Sequence, residues 1–127
     1  MQLTPDGRQF LDDYHLATLS TLAADGTIHA VPVGFTLVDG VARVITRRGS
    51  VKVRNIRERR HATISQVDGG RWFTLVGEGV VLEDAESVAE AVALYAGRYR
   101  QPQPNPERVA IRIEVHRMLG SAGILER

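Results

Sequence analysis

A chain of 127 residues with 16 Lys/Arg against 15 Asp/Glu and 43 % hydrophobic residues is long enough to bury a core, and predicts a single domain over residues 1–127. It has no cysteine, which excludes disulfides, thiolate metal sites, iron–sulfur clusters and a cysteine nucleophile. The opening Met1-Gln2-Leu3-Thr4-Pro5-Asp6 has no basic stretch leading into an apolar one, and no apolar run approaches the roughly 20 residues that span a bilayer. The expected location is the cytoplasm, with no membrane partner.

Thr4-Pro5-Asp6 sets an N-cap residue, a proline at the first helical position and an acid in the first turn, which predicts a short helix from Pro5 to Tyr14. Leu16 to Leu22 alternates as a strand and ends at the turn Ala24-Asp25-Gly26-Thr27. A second strand is expected over Ile28 to Leu37, and Asp39-Gly40 predicts a tight hairpin into a third, Val41 to Thr46. Ser50 to Arg59 reads as a helix that turns Val53 and Ile56 inward. Ala62 to Val67 and Arg71 to Leu82 form a hairpin around Asp68-Gly69-Gly70, and Gly77 and Gly79 mark a bulge or a close backbone approach rather than a nucleotide loop. Asp84 caps a helix ending near Arg98. The prolines of Gln101-Pro102-Gln103-Pro104-Asn105-Pro106 exclude helix and remove ladder donors, leaving a rigid extended loop. Arg108 to His116 sets Val109, Ile111, Ile113 and Val115 on one face, so it is a strand buried on one side. Short hairpins and two or three helices predict a mostly β fold, a small antiparallel barrel.

The near-neutral net charge hides a polarised molecule. Between Arg47 and Arg60 lie Arg47, Arg48, Lys52, Arg54, Arg57, Arg59 and Arg60 against one acid, Glu58, and Lys52 is the only lysine of the chain. Ser50 is a natural N-cap; the free N–H groups of the first turn, with Thr46, Arg48 and Lys52 beside them, form a candidate anion site that suits a phosphate. The same run also reads as a solvated basic helix face, and charge alone leaves both open.

His15, His29, His61 and His116 are scattered without ligand spacing, so no metal is expected. Gly-x-Ser-x-Gly, Walker and Gly-x-Gly-x-x-Gly patterns are absent, so any catalysis needs a bound cofactor. The few aromatics are not interleaved with the basic run, which argues against nucleic acid. Trp72, beside Phe73 after the Gly-Gly turn, reads as core packing. Arg98 and Arg100 either solvate a helix end or hold carboxylates of a ligand.

The strand His29-Ala30-Val31-Pro32-Val33-Gly34-Phe35 and the stretch Val44-Ile45-Thr46-Arg47-Arg48-Gly49-Ser50-Val51-Lys52 resemble the split β-barrel flavin/deazaflavin oxidoreductases related to pyridoxamine 5′-phosphate oxidase. The resemblance runs from about Thr4 to Arg127. Within that family, Ile64 to Trp72, Tyr95 to Pro106 and Leu119-Gly120-Ser121-Ala122 look like the branch that uses coenzyme F420 to reduce biliverdin. The resemblance implies a homodimer with the cofactor in a groove at the subunit interface. It implies that Lys52, with Thr46, Arg47, Arg48 and Ser50, holds the cofactor phosphate. Pro32, Val33 and Gly34 would lie along the ring system, with Gln66 and Trp72 contributed from the neighbouring barrel region or the other chain. Arg98 and Arg100 could hold substrate propionates. The arginines beyond Lys52 favour a deazaflavin with an acidic tail over FMN. The expected activity is hydride transfer from the reduced deazaflavin to a conjugated substrate, biliverdin first among them. The alternatives are an FMN-dependent oxidase of pyridoxamine phosphate type and a non-catalytic flavin- or haem-binding module.

Overall fold

The computed structural model describes residues 2–126. The elements run α1 (Pro5–Asp12), β1 (Ala17–Leu22), β2 (Ile28–Val33), β3 (Thr36–Val38), β4 (Val41–Arg47), α2 (Val51–Arg59), β5 (His61–Asp68), β6 (Arg71–Leu82), α3 (Ala85–Arg98) and β7 (Arg108–Gly120). The strands form one antiparallel sheet in the order β2-β1-β5-β6-β7-β4-β3. β2 and β3 occupy opposite edges of that order yet are consecutive in the chain. The connection from Val33 to Thr36 spans at most about 11 Å, so the edges meet at one end and the sheet closes into a barrel split along that seam.

The predicted single strand Ile28 to Leu37 is therefore two strands. The break is at Phe35, whose backbone leaves the ladder for side chains of α3. Its N–H donates to the Tyr99 hydroxyl (3.1 Å) and its carbonyl accepts from Arg98 Nη1 (2.5 Å). Each backbone group is satisfied without a strand partner, which is the condition for a buried break. Phe35 itself is fully buried and meets Phe73 edge-on, as Phe10 does from α1. All three phenylalanines thus sit in one core, with Leu19, Ile56, Ile64, Leu75, Ile111 and Ile113.

Other departures from the expected boundaries have equally local causes. α1 stops at Asp12 because Asp13 is extended (φ −63, ψ 160) and its carbonyl is taken by Arg98 Nε and Nη2 at 3.0 and 2.9 Å. β7 continues past His116 to Gly120. A register shift between Val76 and Gly77 resets its alternation, placing Met118 opposite Leu75, and a pattern read at constant period ends at that point. Gly77 is obligatory there, since a Cβ would lie 2.0 Å from the Glu114 carbonyl oxygen. The Asp39-Gly40 hairpin forms as expected, both residues having positive φ (52 and 77).

α2 buries Val53, Asn55 and Ile56. Asn55 Nδ2 donates to the buried Thr21 Oγ1 of β1 (3.1 Å), a polar pin inside an otherwise apolar contact. α3, capped by Asp84 accepting from the Ser87 N–H, packs on β4, β7 and β3 and so lies along the seam. No helix among the described residues is long and apolar enough to cross a membrane.

Candidate functional site: a cationic cavity in the barrel seam

A cavity of about 340 Å³ opens where the seam meets α2 and α3. Pro32, Val33 and Gly34 supply one wall and Ile45, Thr46 and Arg47 of β4 another. Lys52 enters from α2 and Tyr95 from α3, and the far side is made by Pro102, Asn105 and Arg108 of the proline loop and the start of β7. The strand order explains the meeting: residues remote in the sheet become neighbours only because β2 runs directly into β3, which pairs with β4.

Arg47 and Lys52 make no ion pair with any of the described residues. Lys52 is half-buried, and burial, followed by the neighbouring Arg47 charge, holds its ammonium below the usual lysine range. Arg108, whose Nη2 donates to the Gln103 carbonyl (2.6 Å), has no carboxylate partner among the described residues either, so three cations line one cavity, and their summed potential favours an anion. Ser50 occupies the N-cap position of α2 (φ −74, ψ 155), but its side chain makes no capping bond. Its Oγ lies 3.4 Å from Thr46 Oγ1 instead, leaving the first-turn N–H groups of a nine-residue helix without a side-chain acceptor.

Of the residues singled out in the sequence, Pro32, Val33, Gly34, Thr46, Arg47 and Lys52 line the cavity. Arg48 and Ser50 line an adjoining groove of about 350 Å³ with Arg54 and Arg57. Arg48 is already engaged: Nε donates to Glu83 (2.6 Å), Nη1 to Glu107 (2.5 Å), and its backbone N–H to the Glu107 carbonyl (2.8 Å). Hydrogen bonds from Arg48 and then Arg57 hold the Glu83 carboxyl below its ordinary range. Arg48 therefore braces the proline loop rather than facing the cavity.

Four residues are placed elsewhere. Gln66 is 1 % exposed; its Nε2 donates to the Phe10 carbonyl and its Oε1 accepts from Arg98 Nη2, both at 2.9 Å. Arg98 spends its guanidinium on Asp13, Phe35 and Gln66, and burial lowers its pKa, as expected of a structural cation. It ties α3 to α1 and to the seam, and offers little to a substrate carboxylate. Arg100 is exposed and lies outside the cavity wall. Trp72 is not core: it is 39 % exposed, because Phe73 faces inward and the period of two turns its neighbour out. Its backbone is clasped by Ser121, whose Oγ accepts from the Trp72 N–H (3.0 Å).

The cavity also contains groups that sequence reasoning did not assign. Tyr95 and Asn105 project from segments whose only sequence signals were a helix and a proline loop; the docking of α3 across the seam brings them in.

The model of the pyridoxamine 5′-phosphate oxidase family matches residues 3–121. The chain belongs to that family. It is 47 % identical over 128 aligned positions, covering 99 % of this chain and 93 % of the relative, to the F420H(2)-dependent biliverdin reductase of Mycobacterium tuberculosis. Among solved structures it is similar to a conserved hypothetical protein of Mycobacterium tuberculosis (TM-score 0.77, 22 % identity, 88 % of this chain and 79 % of that one). It is also similar to a protein described as an F420 reductase (TM-score 0.74, 21 % identity, 88 % of this chain and 94 % of that one). At such identities these two structures bear on the fold, which is the split barrel described above.

Proposed function

We propose that this protein is a coenzyme F420-dependent reductase that transfers a hydride from the reduced deazaflavin to biliverdin. The reading is carried by the cations Arg47, Lys52 and Arg108, none with a carboxylate partner among the described residues, in the seam cavity of a chain 47 % identical to an F420H(2)-dependent biliverdin reductase. The donor set fits the coenzyme. Lys52, Arg47, Thr46 and the first turn of α2 suit its phosphate, and the backbone from Pro32 to Gly34 with the Tyr95 ring suits a planar ring system. Beyond the phosphate, the groove lined by Arg48, Arg54 and Arg57 against one acid, Glu58, provides net basic surface for an acidic tail, which FMN lacks.

When bound, the reduced coenzyme supplies the hydride. Lys52, Arg47 and Thr46 would hold the phosphate at the α2 corner, and Pro32, Val33 and Gly34 would line the ring system, the positioning that hydride transfer over about 3–3.5 Å requires. Val33, Tyr95 and Pro102 give that space apolar lining on its different walls, which limits the water in it. The cavity wall carries no carboxylate or imidazole among the described residues, so the accompanying proton is assigned to solvent.

The active form is a homodimer. On the outward side of the sheet, successive partners Pro32, Thr18, Ser65, Thr74 and Leu119 form a row of uncharged side chains across β2, β1, β5, β6 and β7. Trp72 and Val67, paired at the end of that face, are 39 % and 70 % exposed, and a second copy is the occupant that would also complete an open cavity. The activity test is oxidation of reduced F420 with biliverdin as acceptor, with FMN substituted in a parallel reaction. Bilirubin formation with F420 alone is expected; turnover only with FMN, or none with either, would defeat the reading. Sedimentation of a monomer that still turns over would defeat the shared site.

A further inference from the structure

Among the described residues Tyr95 is the one aromatic side chain in the cavity wall, and its hydroxyl hydrogen-bonds to none of them, whereas Tyr99, one helical turn on, is fully engaged. The Tyr99 hydroxyl accepts from the Phe35 N–H (3.1 Å) and donates to the His15 carbonyl (2.8 Å). That lock fixes Tyr95 as well. The two rings lie 4.8 Å apart at 35°, and a Cβ on Gly34 would come within 2.8 Å of Tyr95 Cε2. Tyr95 is thus held on two sides, by a pinned ring and by the backbone at Gly34, while its phenol stays unused. A phenol held this way, in the wall of an open cavity and with its donor not used by the fold, is preorganised to donate to a ligand.

The contact with Gly34 places Tyr95 at the β2 end of the cavity. Its charge-neutral donor suits a carbonyl better than a phosphate, which the cationic corner takes. We infer that Tyr95 Oη donates a hydrogen bond to a carbonyl oxygen of the planar ring system of the bound coenzyme, making Tyr95 a ring-recognition residue distinct from the phosphate anchor. This rests on the deazaflavin reading above.

The test compares wild type, Tyr95→Phe and Tyr99→Phe in three measurements: the Kd for oxidised F420 by fluorescence, the absorption band of the bound coenzyme, and the competition of inorganic phosphate for the same site. Tyr95→Phe keeps the ring stack and the Gly34 contact. It is expected to weaken F420 about two- to tenfold, the range for one neutral hydrogen bond. It should also shift the bound absorption band towards that of the free coenzyme, while leaving phosphate competition and the melting temperature unchanged. Tyr99→Phe, which frees the Phe35 amide, is expected to lower the melting temperature. Unaltered F420 affinity and spectrum in Tyr95→Phe would overturn the inference. So would a loss of melting temperature equal to that of Tyr99→Phe, because the hydroxyl would then be structural. Failure of the deazaflavin reading itself shows in the wild type, as absence of F420 binding before any variant is compared.

Discussion

Lys52→Met removes one charge from the cavity while keeping most of the side chain's apolar stem. It should act with opposite sign on binding and on stability. Loss of a hydrogen bond to a charged group is worth about 1.5–3 kcal/mol. Lys52 is only half-buried and Arg47 remains beside it, so solvent and the residual cation set the effect at the lower end, about 1.5–2 kcal/mol, or roughly 10- to 30-fold in Kd for F420. Stability should move the other way. Burial lowers the folded pKa of Lys52 below its unfolded value, so the unfolded chain binds more protons between the two values and stability rises with pH across that interval. Below both, protonated Lys52 opposes folding. Lys52→Met should therefore raise the melting temperature at neutral pH and remove that part of its rise with alkaline pH. Coenzyme affinity in the wild type should hold steady below the folded pKa and fall as pH passes through it. Fluorescence titration with F420 and thermal unfolding, each over a pH series, measure both. An unchanged Kd in Lys52→Met, or a lowered melting temperature with the fold otherwise intact, would refute the picture of an uncompensated anion anchor.

If Arg48 acts by bracing the proline loop, Glu107→Gln should weaken coenzyme binding as Arg48→Ala does, and the double variant should be no worse than the more affected single one. If Arg48 instead met the phosphate directly, freeing it from Glu107 would strengthen binding; a double-mutant cycle on Kd reads the sign. Gly34→Ala puts a methyl 2.8 Å from Tyr95 Cε2 and 3.0 Å from Tyr99 Cε2, and overpacking of this kind costs about 1–3 kcal/mol. Because Tyr99 is the ring tied by hydrogen bonds, Tyr95 should yield, so denaturant unfolding should show lost stability and F420 titration lost affinity together. Arg54 has no carboxylate partner among the described residues, whereas Arg57 donates to Glu83 (2.5 Å). Arg54→Ala should accordingly flatten the dependence of coenzyme affinity on tail length and on salt more than Arg57→Ala does. Titrations of short- and long-tailed F420 at two ionic strengths decide it, and an unchanged dependence in both variants would leave the groove without a role in tail binding.

The clustering of cations at the α2 corner was legible because its signals are local. Ser50, the first turn of α2 and the density of cations around Lys52 all lie within a few residues of one another, and the helix keeps that proximity in the fold. The engagements of Arg48 and Arg98 within the fold were not legible, for the complementary reason. Their partners are distant in sequence: Glu83 and Glu107 lie 35 and 59 positions from Arg48, and Phe35 and Asp13 lie 63 and 85 from Arg98. A cation without a visible local partner reads as free until the fold supplies one. Gln66 shows the same limit on the scale of one strand. It shares the inward face with Ile64 and Ala62, and only the Phe10 carbonyl and Arg98 make a buried amide acceptable there.

The break at Gly34-Phe35 couples barrel closure to the site. Residue 34 must lack a side chain so that Tyr95 and Tyr99 can approach the seam, and residue 35 must leave the ladder so that Arg98 and Tyr99 can hold it. The same two residues carry the chain from one sheet edge to the other, so the bonds that close the barrel also fix the Tyr95 end of the cavity. The Lys52 end is fixed separately, by α2 and by the Arg48 brace on the proline loop. Variants at the seam should therefore change stability and ring recognition together. Variants at Lys52 or Arg47 should change phosphate binding without loosening the barrel, because neither side chain bonds to another described residue of the fold.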